Sequence, residues 1–193
     1  MKRVIILGAS GNIAERVIDI LSENKDVSLT LFLRNARRLR IKNVTQCRII
    51  EGDVLNYPQL KKAMHGQDVV YVNLAGDLEA MAKNIVNAMR ETGVKRIIAI
   101  SSIGIYETPL RSVLKPYRKL ADLIEESGLD YTILRPAWFT TDDEVDYELT
   151  KKGEPEKGSV ISQKSLATFI TKIIENPDKY VGENLGINKP NSK

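Results

Sequence analysis

The chain has 193 residues, of which 42% are hydrophobic and 28% charged, and its formal net charge is +4. This length and composition predict one globular domain and argue against a second full domain. No apolar run reaches the ~20 residues that span a bilayer, so a membrane is not expected as a partner. Lysine and arginine are mostly interleaved with acidic residues, so nucleic acid is not expected either. Cys47 and His65 are the only residues of their types, so no disulfide or metal site is expected. The apolar run at the start is too short for a signal peptide, which predicts a cytoplasmic protein.

A glycine turn at residues 8–14 separates a predicted strand at 4–7 from an amphipathic segment that predicts a helix. Its pattern is Gly-x-x-Gly-x-x-Ala. A strand that turns into a helix brings free backbone N–H groups and the positive end of the helix dipole to one point, where a pyrophosphate can bind. We expect Gly8 to permit the tight turn, Gly11 to leave room for the phosphates and Ala14 to let the helix pack on the strand.

A second strand is predicted at residues 27–33, and a basic segment that begins with Arg34 follows it. In a dinucleotide-binding fold the end of this strand faces the adenosine ribose, where a carboxylate would accept from the 2′-hydroxyl of NAD. A guanidinium instead pairs with a 2′-phosphate, and Arg37 or Arg38 could add a second donor. We therefore expect NADP(H) to be preferred over NAD(H).

Further strands are predicted at residues 48–51 and 68–72. After the first of these, Asp53 has two open roles. It could accept from the adenine amino group, or it could cap the helix that begins near Tyr57 and Pro58. Small residues after the second strand would let the backbone pass alongside a cofactor.

The second half of the chain continues the alternation, with strands at 96–100 and 131–134 and a helix at 114–126. Residues 140–158 are rich in charge and turn residues and predict a small C-terminal lid or substrate-side insertion. Ser162 is expected to cap a last helix, and residues 184–187 are expected to close the sheet. Alternating strands and helices predict a single doubly wound α/β domain over residues 1–193, with a mostly parallel sheet.

Five motifs together resemble the atypical short-chain dehydrogenase/reductase superfamily, with the closest likeness to its NAD(P)H-binding, NmrA-like branch. They are GASGNIA at 8–14, the arginine at 34, GDV at 52–54, SSIGIY at 101–106 and SGLDYTILRPAW at 127–138. The resemblance covers nearly the whole chain and implies a Rossmann-type domain that binds NADP(H). The cofactor residues it implies are Gly8, Ser10, Gly11, Asn12, Ile13, Arg34, Asp53, Val54, Asn73, Leu74, Ala75 and Gly76. To these we add residues of the basic segment and of the ends of the fifth and sixth strands, namely Arg37, Ser101, Pro136, Ala137 and Trp138.

The catalytic apparatus that the resemblance implies is incomplete. Active members of the superfamily combine a serine with a tyrosine and a lysine four residues later, a spacing that places both on one helical face. Tyr117 lies on the corresponding helix, but Ala121 follows at that spacing and Lys119 lies nearly opposite. Ser102 and Tyr106, at and just past the end of the fifth strand, are expected near the nicotinamide. Two other matches, Tyr57 with Lys61 and Tyr147 with Lys151, are interpreted as chance.

Two functions stay open. An oxidoreductase would reduce a small carbonyl, quinone or flavin by hydride transfer, with a proton from Tyr106, Tyr117 or water. A non-catalytic redox sensor would bind NADP(H) without turnover, and the broken tyrosine–lysine pair favours it. Nucleotide-sugar epimerisation would need an intact pair. We expect an oxidoreductase with a small-molecule substrate, and either peripheral helix could form the two-fold contact of a homo-oligomer.

Overall fold

The structure is a computed structural model and describes residues 1–41 and 44–192. Its strands are β1 (Lys2–Leu7), β2 (Val27–Leu33), β3 (Arg48–Glu51), β4 (Val69–Val72), β5 (Arg96–Ile100), β6 (Asp130–Pro136), β7 (Trp138–Thr140), β8 (Glu148–Lys151), β9 (Val160–Ser162) and β10 (Glu183–Asn188). Its α-helices are α1 (Asn12–Leu21), α2 (Tyr57–Met64), α3 (Leu78–Thr92), α4 (Lys115–Glu125) and α5 (Gln163–Glu175). Short 3-10 helices occur at Ala36–Arg38, Val44–Gln46 and Ser112–Leu114. None of the helices described is long and apolar enough to cross a membrane.

Eight strands form one sheet in the order β3-β2-β1-β4-β5-β6-β10-β8, and β7 and β9 form a separate parallel pair. Within the large sheet every neighbouring pair is parallel except β10 with β8. The chain moves outward from β1 to β3 on one side and from β4 to β6 on the other. This reversal leaves a crevice at the carboxyl ends of β1 and β4, where ligands bind in such sheets. The predicted doubly wound, mostly parallel α/β fold is confirmed.

Both faces of the sheet are covered by helices, which explains the continuous apolar run in β1. Val4 and Ile6 pack with α1 and α5 on one face, whereas Ile5 and Leu7 pack with α2, α3 and α4 on the other. All four side chains are fully buried. Successive side chains of a strand point to opposite faces, so β1 contributes to both halves of the core and fixes the position of the turn that follows it.

Three helices begin with a polar side-chain cap, but α1 does not. Asn56, Asp77 and Ser162 each accept a hydrogen bond from the backbone N–H three residues later, at the starts of α2, α3 and α5. The N-cap residue of α1 is Gly11, and no side chain caps this helix. The predicted cap at Ser162 is confirmed, but the cap of α2 is Asn56 and not Asp53.

Strand β8 divides the segment 140–158, which the sequence predicts as a lid. It pairs antiparallel with β10 and adds an edge strand to the main sheet. Only Thr150 of its four residues is buried, and the sequence Glu-Leu-Thr-Lys has no apolar run that would predict a strand. The middle of the segment is therefore part of the scaffold, and a lid role stays a prediction only for the loops on either side.

Candidate functional site

A cavity of about 360 Å³ opens at the crevice between β1 and β4, and we call it the glycine-turn cavity. It is bounded by the turn after β1 and by the segments that follow β2, β3 and β4. Its lining consists of Gly8, Ser10, Gly11, Phe32, Leu33, Arg34, Asn35, Arg38, Gly52, Asp53, Val54, Asn73, Leu74, Ala75 and Met81.

The two glycines of the turn are needed for close packing against the end of β4. Gly8 has φ +83°, and a Cβ there would lie 2.1 Å from the carbonyl oxygen of Asn73. Gly11 has an extended backbone, but its Cβ would lie 2.2 Å from Asn73 Nδ2. The Asn73 amide thus occupies the space that a Cβ of Gly11 would need. This packing is a second reason for glycine at position 11, beside the predicted one, which is room for the phosphates.

The start of α1 suits an anionic group. The first N–H groups of a helix have no partner within the helix, and here no side chain caps them. Asn12 is exposed, whereas the side chain of Ile13 is buried in the core, so Ile13 can offer only its backbone to a ligand. Together with the helix dipole, these N–H groups fit the pyrophosphate of a dinucleotide.

Two arginines line the part of the glycine-turn cavity that adjoins the end of β2. Arg34 and Arg38 are both exposed, and the guanidinium of neither forms a hydrogen bond or ion pair with another residue that the structure describes. Arg37 lies outside the lining, and its backbone N–H donates to Asn35 Oδ1 at 3.0 Å. Of the two arginines that the sequence offered as a second donor, the geometry therefore favours Arg38.

Asp53 lies in the same lining, next to the buried Val54. Its Oδ1 accepts from the N–H of Leu55 at 2.9 Å, and its own N–H donates to Gln59 Oε1 at 3.2 Å. These bonds fix the turn after β3 without capping α2. The capping role considered for Asp53 is wrong, and the role of acceptor for an adenine amino group stays a prediction.

A second cavity of about 350 Å³ adjoins the first, and we call it the aromatic cavity. Asn73 and Leu74 line both cavities, so a ligand that extends past them would occupy both. The rest of its lining consists of Ile100, Ser101, Ser102, Ile103, Arg111, Val113, Leu114, Tyr117, Pro136, Ala137, Trp138 and Phe139. Most of these side chains are apolar, which is typical of a small-molecule site with a few orienting polar groups.

The hydroxyl groups of the aromatic cavity differ in their burial and in their hydrogen bonds. Ser101 is buried, and its Oγ donates to the backbone oxygen of Tyr117 at 3.0 Å, which holds α4 against the end of β5. Ser102 is half-buried, and its Oγ donates to the carbonyl oxygen of Ile103 at 3.1 Å. Tyr117 is half-buried and contributes the phenol of this cavity. Ser102 and Tyr117 thus line the same cavity.

Tyr106, in contrast, lies outside the aromatic cavity. It lines a third cavity together with Arg135 and the loop residues 153–156, and its hydroxyl accepts from Asn184 Nδ2 at 2.7 Å. The loop after β5 therefore separates Tyr106 from Ser102 and Tyr117. The expectation that Tyr106 lies beside Ser102 at one reaction centre does not agree with this geometry.

Three cations surround the ring of Tyr106. Arg118, Arg135 and Lys152 lie 4.6, 5.5 and 4.8 Å from its centroid. Burial alone would lower the pKa of Lys152, but the hydrogen bond to Glu125 and the electrostatic attraction of Tyr106 and Glu125 together raise it above its ordinary value. The charged groups are paired with one another, so this cluster stabilises the loop after β5.

The other tyrosine–lysine matches line neither the glycine-turn cavity nor the aromatic cavity. Tyr147 packs on the ring of Phe169 at a centroid distance of 5.2 Å, and its hydroxyl accepts from Lys172 at 3.1 Å. Lys151 lies on the edge strand β8, 3.9 Å from Glu183. Both side chains of this match contact other residues away from the two cavities, which agrees with the interpretation as chance.

The predicted site residues fall into three groups. Gly8, Ser10, Gly11, Arg34, Asp53, Val54, Asn73, Leu74 and Ala75 line the glycine-turn cavity. Ser101, Ser102, Tyr117, Pro136, Ala137 and Trp138 line the aromatic cavity, which Asn73 and Leu74 also reach. Asn12, Ile13, Arg37, Gly76 and Tyr106 line neither.

Several lining residues were not predicted. Gly52 is required because a Cβ there would lie 2.6 Å from the ring of Phe32, and its place directly after β3 is a signal that could have been used. Arg111 and Val113 come from the end of the loop after β5 and from the short 3-10 helix Ser112–Leu114, where no periodicity points to them. Among the described residues, no group of three or more histidine, cysteine, aspartate or glutamate side chains could hold a metal ion.

A glycine turn at the switch point of a doubly wound sheet, with unpaired arginines at the end of β2, defines a dinucleotide-binding domain of the Rossmann type. Residues 8–177 match the NAD(P)H-binding family, and the chain belongs to this family. The resemblance to atypical short-chain dehydrogenases/reductases is thereby confirmed, and the cofactor class is a nicotinamide dinucleotide.

Comparison with known proteins gives solved structures that are similar over all or nearly all of the chain, and a sequence relative that matches most of it. A Rossmann-fold NAD(P)-binding family protein from Shigella flexneri is 50% identical, with a TM-score of 0.93 and coverage of 100% of this chain and 96% of that one. A short-chain dehydrogenase/reductase from Veillonella parvula, solved in complex with NADP, is 26% identical, with a TM-score of 0.89 and coverage of 98% and 95%. The Bacillus subtilis protein YhfK, described as an uncharacterized sugar epimerase, is 26% identical over 182 residues, which cover 85% of this chain and 79% of that protein.

Proposed function

We propose that this protein is an NADP(H)-dependent oxidoreductase that reduces a small carbonyl, quinone or flavin. The observation that carries the proposal is the junction of two cavities at Asn73 and Leu74. One offers helix N–H groups and arginines to a phosphorylated ligand. The other offers an apolar space with the hydroxyl groups of Ser101, Ser102 and Tyr117. The dehydrogenase/reductase of Veillonella parvula with bound NADP supports the same function.

The glycine-turn cavity would hold the adenosine half of the cofactor. The backbone from Gly8 to Ile13 would bind the pyrophosphate, and Asp53 and Val54 would contact the adenine. Arg34 and Arg38 would donate to the 2′-phosphate, and their lack of a carboxylate partner among the described residues leaves both free to do so. A guanidinium interacts much more weakly with a 2′-hydroxyl than with a 2′-phosphate. NADP(H) is therefore preferred over NAD(H).

The aromatic cavity would hold the nicotinamide and the substrate. NADPH supplies a hydride when it is bound. Ser102 would orient the substrate oxygen, and Tyr117 would donate the proton. The side chain one turn after Tyr117 is the buried Ala121, so the lysine that would assist the phenol is missing from this position. The acceptor must therefore be electrophilic enough to accept the hydride when only a weak acid is available to donate the proton. Quinones and flavins meet this condition.

The missing lysine also favours a second candidate, a redox sensor that binds NADP(H) without turnover. It disfavours epimerisation, the activity in the description of the Bacillus subtilis relative. Sugar epimerisation in this superfamily would use an intact tyrosine–lysine pair, and neither cavity contains one.

Oxidation of NADPH in the presence of a panel of quinones, flavins and aldehydes tests the proposal. We expect turnover of at least one quinone or flavin, with NADPH a better donor than NADH. Tight NADPH binding without turnover of any acceptor would replace the oxidoreductase by the sensor. Absence of binding to either cofactor would reject both.

A further inference from the structure

The outer wall of the aromatic cavity carries exposed apolar side chains. Val113, Trp138 and Phe139 line this cavity, and they are 68%, 67% and 49% exposed. Exposed large apolar side chains that cluster on one rim mark a binding surface rather than ordinary protein surface. Ser101, at the inner end of the same cavity, is only 3% exposed. The cavity therefore runs from a buried polar end to an exposed apolar mouth.

Arg111 lies on the same rim. Its side chain is exposed, and it forms no hydrogen bond or ion pair with any residue in the part of the chain that the structure describes. Arg3, Arg118 and Arg135 each have a carboxylate partner at 3.0 Å or less, so this chain does pair arginines where a partner is near. An unpaired guanidinium beside an apolar wall is suited to an anionic group on a mainly apolar ligand.

We propose that the substrate is an extended apolar ring system that carries an anionic group, and that Arg111 selects it. The ring packs against Trp138 and Val113, the reacting atom faces Ser102 and Tyr117, and the anion pairs with Arg111 at the mouth. This inference rests on the proposed function and names the substrate class for the same site.

Two matched dyes test the anion site without any turnover. Anilinonaphthalene sulfonate and N-phenylnaphthylamine share the same aromatic skeleton, and only the first carries a sulfonate. Trp138 is the only tryptophan of the chain, so energy transfer from it reports dye binding, and the Arg111 variants test whether the dye is bound at this rim. The protein is saturated with NADP⁺ and titrated with each dye.

We expect the sulfonate dye to bind about tenfold more tightly or better, because a charge-assisted hydrogen bond is added. Arg111→Gln removes this preference, and Arg111→Lys keeps part of it. Lys115→Gln is the matched control: it removes an exposed cation of α4 that does not line the cavity, and the preference remains. Equal affinity for the two dyes, or a preference that survives Arg111→Gln, would overturn the inference.

A turnover experiment separates this inference from the proposed function. Naphthoquinone and naphthoquinone sulfonate are compared as acceptors with NADPH. We expect a lower KM for the sulfonate, lost in Arg111→Gln. Reduction of both quinones with equal KM in both proteins would reject the anion site and leave the oxidoreductase standing. No reduction of any acceptor, with the dye preference intact, would reject the oxidoreductase and leave the anion site standing.

Discussion

A Cβ on Gly11 would lie 2.2 Å from Nδ2 of Asn73, so the turn after β1 and the end of β4 fit together as one unit. The backbone of Gly11 has φ −79° and ψ 146°, a conformation that any L-residue adopts. The need for glycine at this position therefore comes from contact with one side chain. At Gly8 the need comes from both a positive φ and contact with backbone.

Gly11→Ala is expected to destabilise the protein by about 1–3 kcal/mol, because the added methyl group displaces the Asn73 amide. Asn73→Ala removes that amide, so the double variant should regain about 0.5–3 kcal/mol relative to the sum of the single changes. Urea unfolding of the four proteins measures this coupling. Strict additivity would show that the contact does not constrain the turn.

Gly8→Ala is expected to cost at least about 3 kcal/mol, since its φ is strained for alanine and the carbonyl of Asn73 cannot swing aside. Gly128→Ala is the control. Gly128 has φ +72° with nothing within 4 Å of an added Cβ, so only the strain of about 1 kcal/mol applies. Equal losses in urea unfolding would mean that the contact with Asn73 contributes nothing.

Tyr117→Phe is expected to lower kcat for a carbonyl or quinone acceptor by about tenfold to a hundredfold, because the phenol of the aromatic cavity is removed. Tyr106→Phe should leave kcat unchanged, since its hydroxyl bonds Asn184 in another cavity. Steady-state rates at saturating NADPH measure both. A larger loss in Tyr106→Phe would reverse the assignment of the proton donor.

Glu156→Gln tests the structural role of Arg135, which is 3% exposed. The Arg135 guanidinium donates to Glu156 at 3.0 Å, so the change leaves a buried cation without its counter-charge and should cost about 2–4 kcal/mol. Glu183→Gln breaks a 3.9 Å pair with the exposed Lys151 and should cost about 0.5 kcal/mol or less. NADPH affinity should be unchanged in both. A loss of affinity in Glu156→Gln would place Arg135 in the cofactor site.

The sequence predicts the strands of the parallel sheet well where their apolar residues form a run or alternate with polar ones. The predicted strands at residues 27–33, 48–51 and 96–100 coincide with β2, β3 and β5. The short strands β7, β8 and β9 were not predicted. They have three or four residues each, and tertiary pairing rather than an apolar pattern defines them.

The site shows the same contrast between parts that the local sequence predicts and parts that tertiary packing determines. The glycine turn could be predicted because one strand, its turn and its helix are contiguous in sequence. The loop between β5 and α4 could not, because its path sends Tyr106 to one cavity and Arg111 to another. No local pattern encodes that division, which depends on packing against β6, β10 and the loop after β8.

Fluorescence titration with NADPH and NADH tests most directly whether the glycine-turn cavity binds the 2′-phosphate. We predict tighter binding of NADPH. Arg34→Ala and Arg38→Ala should each weaken NADPH by about 1–3 kcal/mol and leave NADH unchanged, whereas Arg37→Ala, outside the lining, should affect neither. Equal affinity for the two cofactors, or equal losses for both in Arg34→Ala, would contradict the account.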